Sequence, residues 1–171
     1  MARYQATVKS RSQAAETFGY LATFSNAVEW DPGVLAGERL DDGPVRAGSR
    51  FRLVVPFLGA RMALTYEVIR FVPDREVLLH AANGVLQATD RIVVTGTADG
   101  STVSYDTDGR LRGTLRVLDP FPRPGFRAVA VRAAAGLAQA LSGRPPGPGP
   151  TAPPGTPVRS GGTAPRPGGA R

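Results

Sequence analysis

Glu29-Trp30-Asp31-Pro32-Gly33 is the stretch around which the chain divides. Asp-Pro-Gly is a strong chain-reversal signal. Upstream of it the pattern is helical. Ser12 is placed to N-cap a helix over 13–20, with Phe18 and Leu21 apolar, and a second short helix runs through Thr23 to Val28. Glu16 falls one residue late for a capping box. Before these helices, Tyr4 to Lys9 alternates weakly and reads as a short strand. Downstream of Gly33 the hydrophobic period changes to two. Strands are expected over 34–40, 48–57, 61–71, 75–82, 86–97 and 101–111, interrupted at Asp42-Gly43, Leu58-Gly59, Asn83-Gly84 and Asp99-Gly100. Asn-Gly and Asp-Gly favour two-residue hairpin turns, whose central residues take positive φ. The expectation is a six-strand antiparallel meander. Pro120, Pro122 and Pro124 end it, and Phe126, Val129, Ala130, Ala133, Leu137 and Leu141 then recur at helical spacing, with Arg123, Arg127 and Arg132 largely off that stripe. This predicts one long amphipathic helix ending at Gly143.

Directly opposed residues in an antiparallel pair project to the same face. With Asn83-Gly84 as the turn, His80 meets Gln87, Leu79 meets Ala88, Val77 meets Asp90 and Glu76 meets Arg91. With Asp99-Gly100 as the turn, Val94 meets Tyr105 and Ile92 meets Thr107; with Leu58-Gly59, Val55 meets Met62, Leu53 meets Leu64 and Phe51 meets Tyr66. The three hairpins predict one concave surface. It carries Phe51, Leu53, Val55, Met62, Leu64, Tyr66, Val68, Val77, Leu79, Ile92, Val94 and Tyr105, with Asp90 among them. The long helix is expected to close it with Phe126, Val129, Ala133 and Leu137, and Trp30 to stand at the mouth. His80 falls on the outer, polar face. Asp90 is the anomaly, because an ionised carboxylate among apolar side chains costs several kcal/mol unless paired. It either sits hydrated or bonded near a strand end, or serves as an acid with a raised pKa.

Composition removes many chemistries. The chain of 171 residues has no cysteine, so it offers no disulfide, thiolate ligand or cysteine nucleophile. His80 is the sole histidine, which excludes a zinc site built on two or three imidazoles. Neither Gly-x-x-x-x-Gly-Lys nor a Gly-x-Gly-x-x-Gly following a strand occurs, and no acidic cluster has calcium or two-metal spacing. No metal and no cofactor are expected. The formal charge is +7, but the segment from Gly143 to Arg171 holds four arginines and no acid, which leaves +3 on residues 1–142. A body so mildly basic does not suggest a specific nucleic-acid partner. The 143–171 segment, rich in Pro, Gly and Arg with almost nothing apolar to bury, is expected to be a disordered tail. No apolar run is long enough to span a membrane and no signal-peptide stretch follows Met1, so a cytoplasmic protein is expected.

The order strand, two short helices, six-strand meander and long helix carries a resemblance. With Phe24-Ser25-Asn26, Glu29-Trp30-Asp31-Pro32-Gly33, Gly48-Ser49-Arg50-Phe51, Leu64-Thr65-Tyr66-Glu67-Val68 and Asp99-Gly100, it resembles the SRPBCC or START-like superfamily, and within it the polyketide cyclase/dehydrase and lipid-transport branch, over about residues 3–142. The resemblance implies an α+β helix-grip fold: a curved antiparallel seven-stranded sheet wrapped around the C-terminal helix, with an apolar cavity between. It implies a hydrophobic small-molecule partner of lipid or polyketide kind. The leading expectation is a carrier or binding protein in which Tyr66, Tyr105 and Asp90 orient the ligand. The alternative is a polyketide cyclase or aromatase-dehydratase, with Asp90 as general acid/base and the tyrosines polarising carbonyls. A third class is a protein that docks on another macromolecule through its fold or its Arg-rich tail.

Overall fold

Alternation from Ala36 onward drives the chain into strands, and the chain on either side of them is helical. The computed structural model describes residues 2–57, 59–113 and 123–143, with side chains described for 3–57, 59–113, 128 and 131–142. Strand β1 (Ala2–Ser10) leads to helix α1 (Ala14–Ala22), then a single turn of 3₁₀ helix (Phe24–Asn26) that runs into α2 (Ala27–Trp30). Six strands follow: β2 (Ala36–Arg39), β3 (Arg50–Phe57), β4 (Ala60–Val72), β5 (Glu76–Ala82), β6 (Leu86–Thr97) and β7 (Gly100–Leu111). The long helix α3 (Arg123–Gly143) ends the described chain. The tail expected from 143 onward lies, from residue 144, outside the described residues.

The strands form one antiparallel sheet in the order β1-β7-β6-β5-β4-β3-β2. The chain therefore leaves β1, crosses by way of the short helices to the far edge, and walks back strand by strand until β7 lies beside β1. Helix α3 packs along β1, and α1 packs on β6 and β7. This is the α+β helix-grip architecture.

Ser12 does not cap α1. Gln13 occupies the N-cap without a side-chain bond, and the Ser12 carbonyl instead accepts from the hydroxyls of Thr17 and Ser101. The β3–β4 register is the expected one, with Val55 opposite Met62 and Phe51 opposite Tyr66, and Gly59 holds φ +81° in the turn. The other two hairpins are corrected. Ala82 faces Gln87, so Leu79 meets Asp90 and Val77 meets Ile92. Asn83 causes this: its Oδ1 accepts from the amides of Val85 and Leu86, and its own amide donates to the Leu86 carbonyl, which widens the turn. In the β6–β7 hairpin Thr97 faces Gly100, so Ile92 meets Tyr105 and Val94 meets Val103. Gly100 is the first residue of β7 rather than a turn residue, and any side chain there would collide with the Ser10 carbonyl. Both corrections amount to two residues, so every side chain keeps its expected face.

One irregularity does reverse faces. Val68 pairs with Leu79 and Arg70 with Leu78, which leaves Ile69 as a bulge in β4. Val68 points inward, Ile69 is 53% exposed, and Phe71 returns to the inner face, its ring 5.4 Å from that of Phe18.

Candidate functional site

Three strands bring polar groups to one point under the sheet. Asp90 lies on the inner face of β6, opposite Leu79 on one side and Thr107 on the other. Tyr105 and Thr107 stand two apart on β7, and Tyr66 comes from β4. The Tyr105 hydroxyl donates to Asp90 Oδ1 at 2.6 Å, and the hydroxyls of Thr107 and Tyr66 also donate to this carboxylate. Asp90 is 2% exposed. Burial pushes its carboxyl up to about 6; the three hydroxyls pull it down, and the charge of Asp31 adds to the rise. The phenols of Tyr66 and Tyr105 are held well above their usual value, first by burial and then by the Asp90 charge they face.

The turn after α2 supplies the opposite wall. Its Asp31 Oδ1 accepts the Gly33 amide at 2.7 Å, the bond that shapes the Asp-Pro-Gly reversal. Burial raises the Asp31 carboxyl too, against the pull of that amide. Trp30, ending α2, meets Tyr105 edge-on at 5.6 Å, and Phe24 meets Tyr66 edge-on at 5.0 Å.

The described residues leave two adjoining recesses. The inner one, about 100 Å³, is lined by Phe24, Ala27, Trp30, Asp31, Val34, Leu53, Val55, Tyr66, Asp90, Tyr105, Thr107 and Ala133. The outer one, about 240 Å³, shares Asp31, Val55, Tyr66 and Thr107 and adds mainly apolar residues, Phe57, Met62, Leu64, Leu86 and Leu111 among them.

Of the residues expected to meet a ligand, Trp30, Leu53, Tyr66, Asp90, Tyr105 and Ala133 come together at the inner recess, and Leu64 borders the outer one. Phe51, Val77, Leu79, Ile92 and Val94 of the concave face and Leu137 of α3 do not: they are at most 3% exposed and line neither recess. Helix α1 lies across β6 and β7, and its Phe18 and Leu21 join the same closed core as these residues. Phe126 and Val129 belong to α3, but their side chains lie outside the described residues. His80 bonds Thr89 across the sheet, its Nδ1 3.1 Å from the hydroxyl, and lines neither recess.

At the inner recess, sequence reasoning passed over Asp31, Thr107 and Phe24, and with them Ala27 and Val34. Thr107 had a signal, since it shares the face of Tyr105 by simple alternation. Asp31 had only its place in a turn motif. Among the described residues, no three His, Asp or Glu side chains gather as a metal site requires, and no helix is long and apolar enough to cross a membrane.

The sequence matches the family described as "Polyketide cyclase / dehydrase and lipid transport" over residues 1–144. Among curated proteins none matches. Similar solved structures include the Zhui aromatase/cyclase from Streptomyces sp. R1128, with TM-score 0.64 and 15% identity over 81% of this chain and 90% of that one. A START superfamily protein from Mycobacterium smegmatis has TM-score 0.64 and 14% identity over 82% of this chain and 97% of that one. The di-domain ARO/CYC StfQ from the steffimycin biosynthetic pathway has TM-score 0.61 and 14% identity, over 82% of this chain and 50% of that one. At such identities the structural likeness establishes the fold, and the match over residues 1–144 establishes kinship: the chain belongs to the polyketide cyclase/dehydrase and lipid-transport family.

Proposed function

We propose that the chain is a binding or carrier protein for a hydrophobic small molecule of lipid or polyketide kind, taken up between the sheet and the helices with its polar end toward Asp90. The observation that carries this reading is a buried carboxylate, ringed by three hydroxyls, at the inner end of a recess whose other lining, Asp31 apart, is apolar. A core built for stability alone would place an apolar side chain there, because burying the charge costs several kcal/mol. Size supports the reading as well. An apolar cavity of about 150 Å³ holds a benzene, and the outer recess is larger at about 240 Å³. Each 100 Å² of apolar ligand surface buried contributes about 2.5 kcal/mol before association costs.

The full chain is titrated with N-phenyl-1-naphthylamine, a neutral apolar fluorophore that brightens when buried. Saturable binding is expected. Val55→Trp fills the junction of the two recesses and is expected to abolish binding while circular dichroism stays that of a folded chain. Folded wild type that takes no probe, or a Val55→Trp protein that binds as well as wild type, overturns the proposal.

A second reading, a polyketide cyclase or aromatase-dehydratase, is favoured by one observation. A carboxyl raised to about 6 is near the range in which a group can both take and give a proton at neutral pH. In that reading the recess holds a poly-β-ketone chain in one folded shape and Asp90 moves the proton, while the tyrosine hydroxyls, turned onto Asp90, would have to leave it to reach carbonyl oxygens. Turnover of a poly-ketone thioester by wild type, lost in Asp90→Asn, supports it. Binding without turnover supports the carrier.

A further inference from the structure

The inner recess has more acceptors than donors. Tyr66, Tyr105 and Thr107 already direct their hydroxyls onto Asp90, so none is spare for a ligand carbonyl. Asp31 uses only Oδ1, on the Gly33 amide; Oδ2 accepts no hydrogen bond from the described residues. Two carboxyl groups thus border one small space, and among the described residues no Lys or Arg lines it. Arg110 borders only the outer recess, with its guanidinium 3.6 Å from Asp108, and Arg132 borders a separate surface recess that Asp31 also lines; neither lines the inner one. Four aromatic rings, those of Phe24, Trp30, Tyr66 and Tyr105, line the same space. Aromatic faces attract cations, most strongly where water is excluded. An incoming group must therefore donate hydrogen bonds, and a positive charge on it would relieve two buried negative ones. An anionic head would be repelled, and a carbonyl would find no free donor.

We propose that the hydrophobic molecule carries a protonated amine, seated in the inner recess between Asp31 and Asp90 and against the aromatic rings. This rests on the reading of the recesses as a ligand site and narrows the ligand class. At about 100 Å³ the inner recess is too small for a benzene ring but has room for an ammonium head and its first methylenes, with the remaining chain in the outer recess.

The test is displacement of N-phenyl-1-naphthylamine at pH 8 by octylamine, 1-octanol and octanoate, which share a chain and differ in head group. Octylamine is expected to bind at least about tenfold tighter than octanol, with octanoate weakest. Asp31→Asn and Asp90→Asn are each expected to reduce that preference about threefold or more, read as the ratio of octylamine to octanol affinity so that any change in the fluorophore's own affinity cancels. A wild-type circular dichroism spectrum shows that the variants are folded. Lowering the pH from 8 to 5 is expected to narrow the amine preference, because Asp90 takes up its proton near 6. The groups facing it are Tyr105 and Thr107 from β7, Tyr66 from β4 and Asp31 from the turn after α2. This arm uses wild-type protein and needs no variant. Wild type that takes the fluorophore but binds octanol as tightly as octylamine overturns the amine proposal alone, as does a preference that survives both substitutions. Wild type that takes no fluorophore overturns the ligand site and this proposal with it.

Discussion

Asp90 lowers the stability of the fold at neutral pH. Its carboxyl titrates near 6 in the native chain, against an ordinary 3.8. Between those values the native state binds the proton more tightly than the unfolded chain, so stability falls as pH rises through that window. Above about 6 the whole cost is present. A shift of this size corresponds to about 3 kcal/mol as an upper figure. Asp90→Asn keeps the shape and removes the charge. It is expected to be more stable than wild type by about 1–3 kcal/mol at pH 7.5, with the gain disappearing near pH 4, as read by urea unfolding at the two pH values. A variant less stable at pH 7.5 would show that the three hydroxyls more than offset the burial. Tyr66, Asp90 and Tyr105 could be placed on one inner surface from alternation and turn positions alone. Asp31 could not, because Asp-Pro-Gly accounts for itself as a reversal. Only the folded structure shows that the reversal also turns a carboxylate toward Asp90.

At the scale of elements, the contact between α2 and α3 is made by backbone. Gly136 of α3 lies against the Trp30 carbonyl so closely that an added Cβ would collide with it. In an unconstrained helix, replacing Gly with Ala stabilises by up to about 1 kcal/mol. Here Gly136→Ala is expected to do the opposite, costing about 1–3 kcal/mol as α3 is pushed away from Trp30; a lowered urea midpoint checks the sign. The strands were legible for a different reason. A pairing error of two residues leaves all faces intact, so the Asn83 and Gly100 turns could be misjudged without moving Asp90 or Tyr105 to the outer surface. Depth was not legible. Alternation assigns Phe51, Val77 and Leu79 to the same face as Leu53 and Tyr66, but it says nothing of where along that face α1 lies. Which residues are sealed and which border the recesses is therefore a property of helix placement, and periodicity does not encode it.

For the molecule as a whole, a space between sheet and helices makes stability depend on what occupies it. A ligand that binds only the native state stabilises it by mass action, about 2.7 kcal/mol at a concentration one hundred times Kd. Saturating N-phenyl-1-naphthylamine is thus expected to raise the urea midpoint of wild type and leave that of Val55→Trp unchanged. The bulge at Ile69 has a consequence of another kind. It acts as a frame shift within β4: everything from Tyr66 to Val68 is read in one phase, and Phe71 in the other. Loss of Ile69 alone would close the bulge and leave Val68 and Phe71 inward and Arg70 outward in unbroken alternation. Loss of two residues would turn Phe71 toward water. The lineage of this chain can therefore shed the one supernumerary residue of β4 at no cost to its faces, but a second loss would turn the far half of the strand inside out.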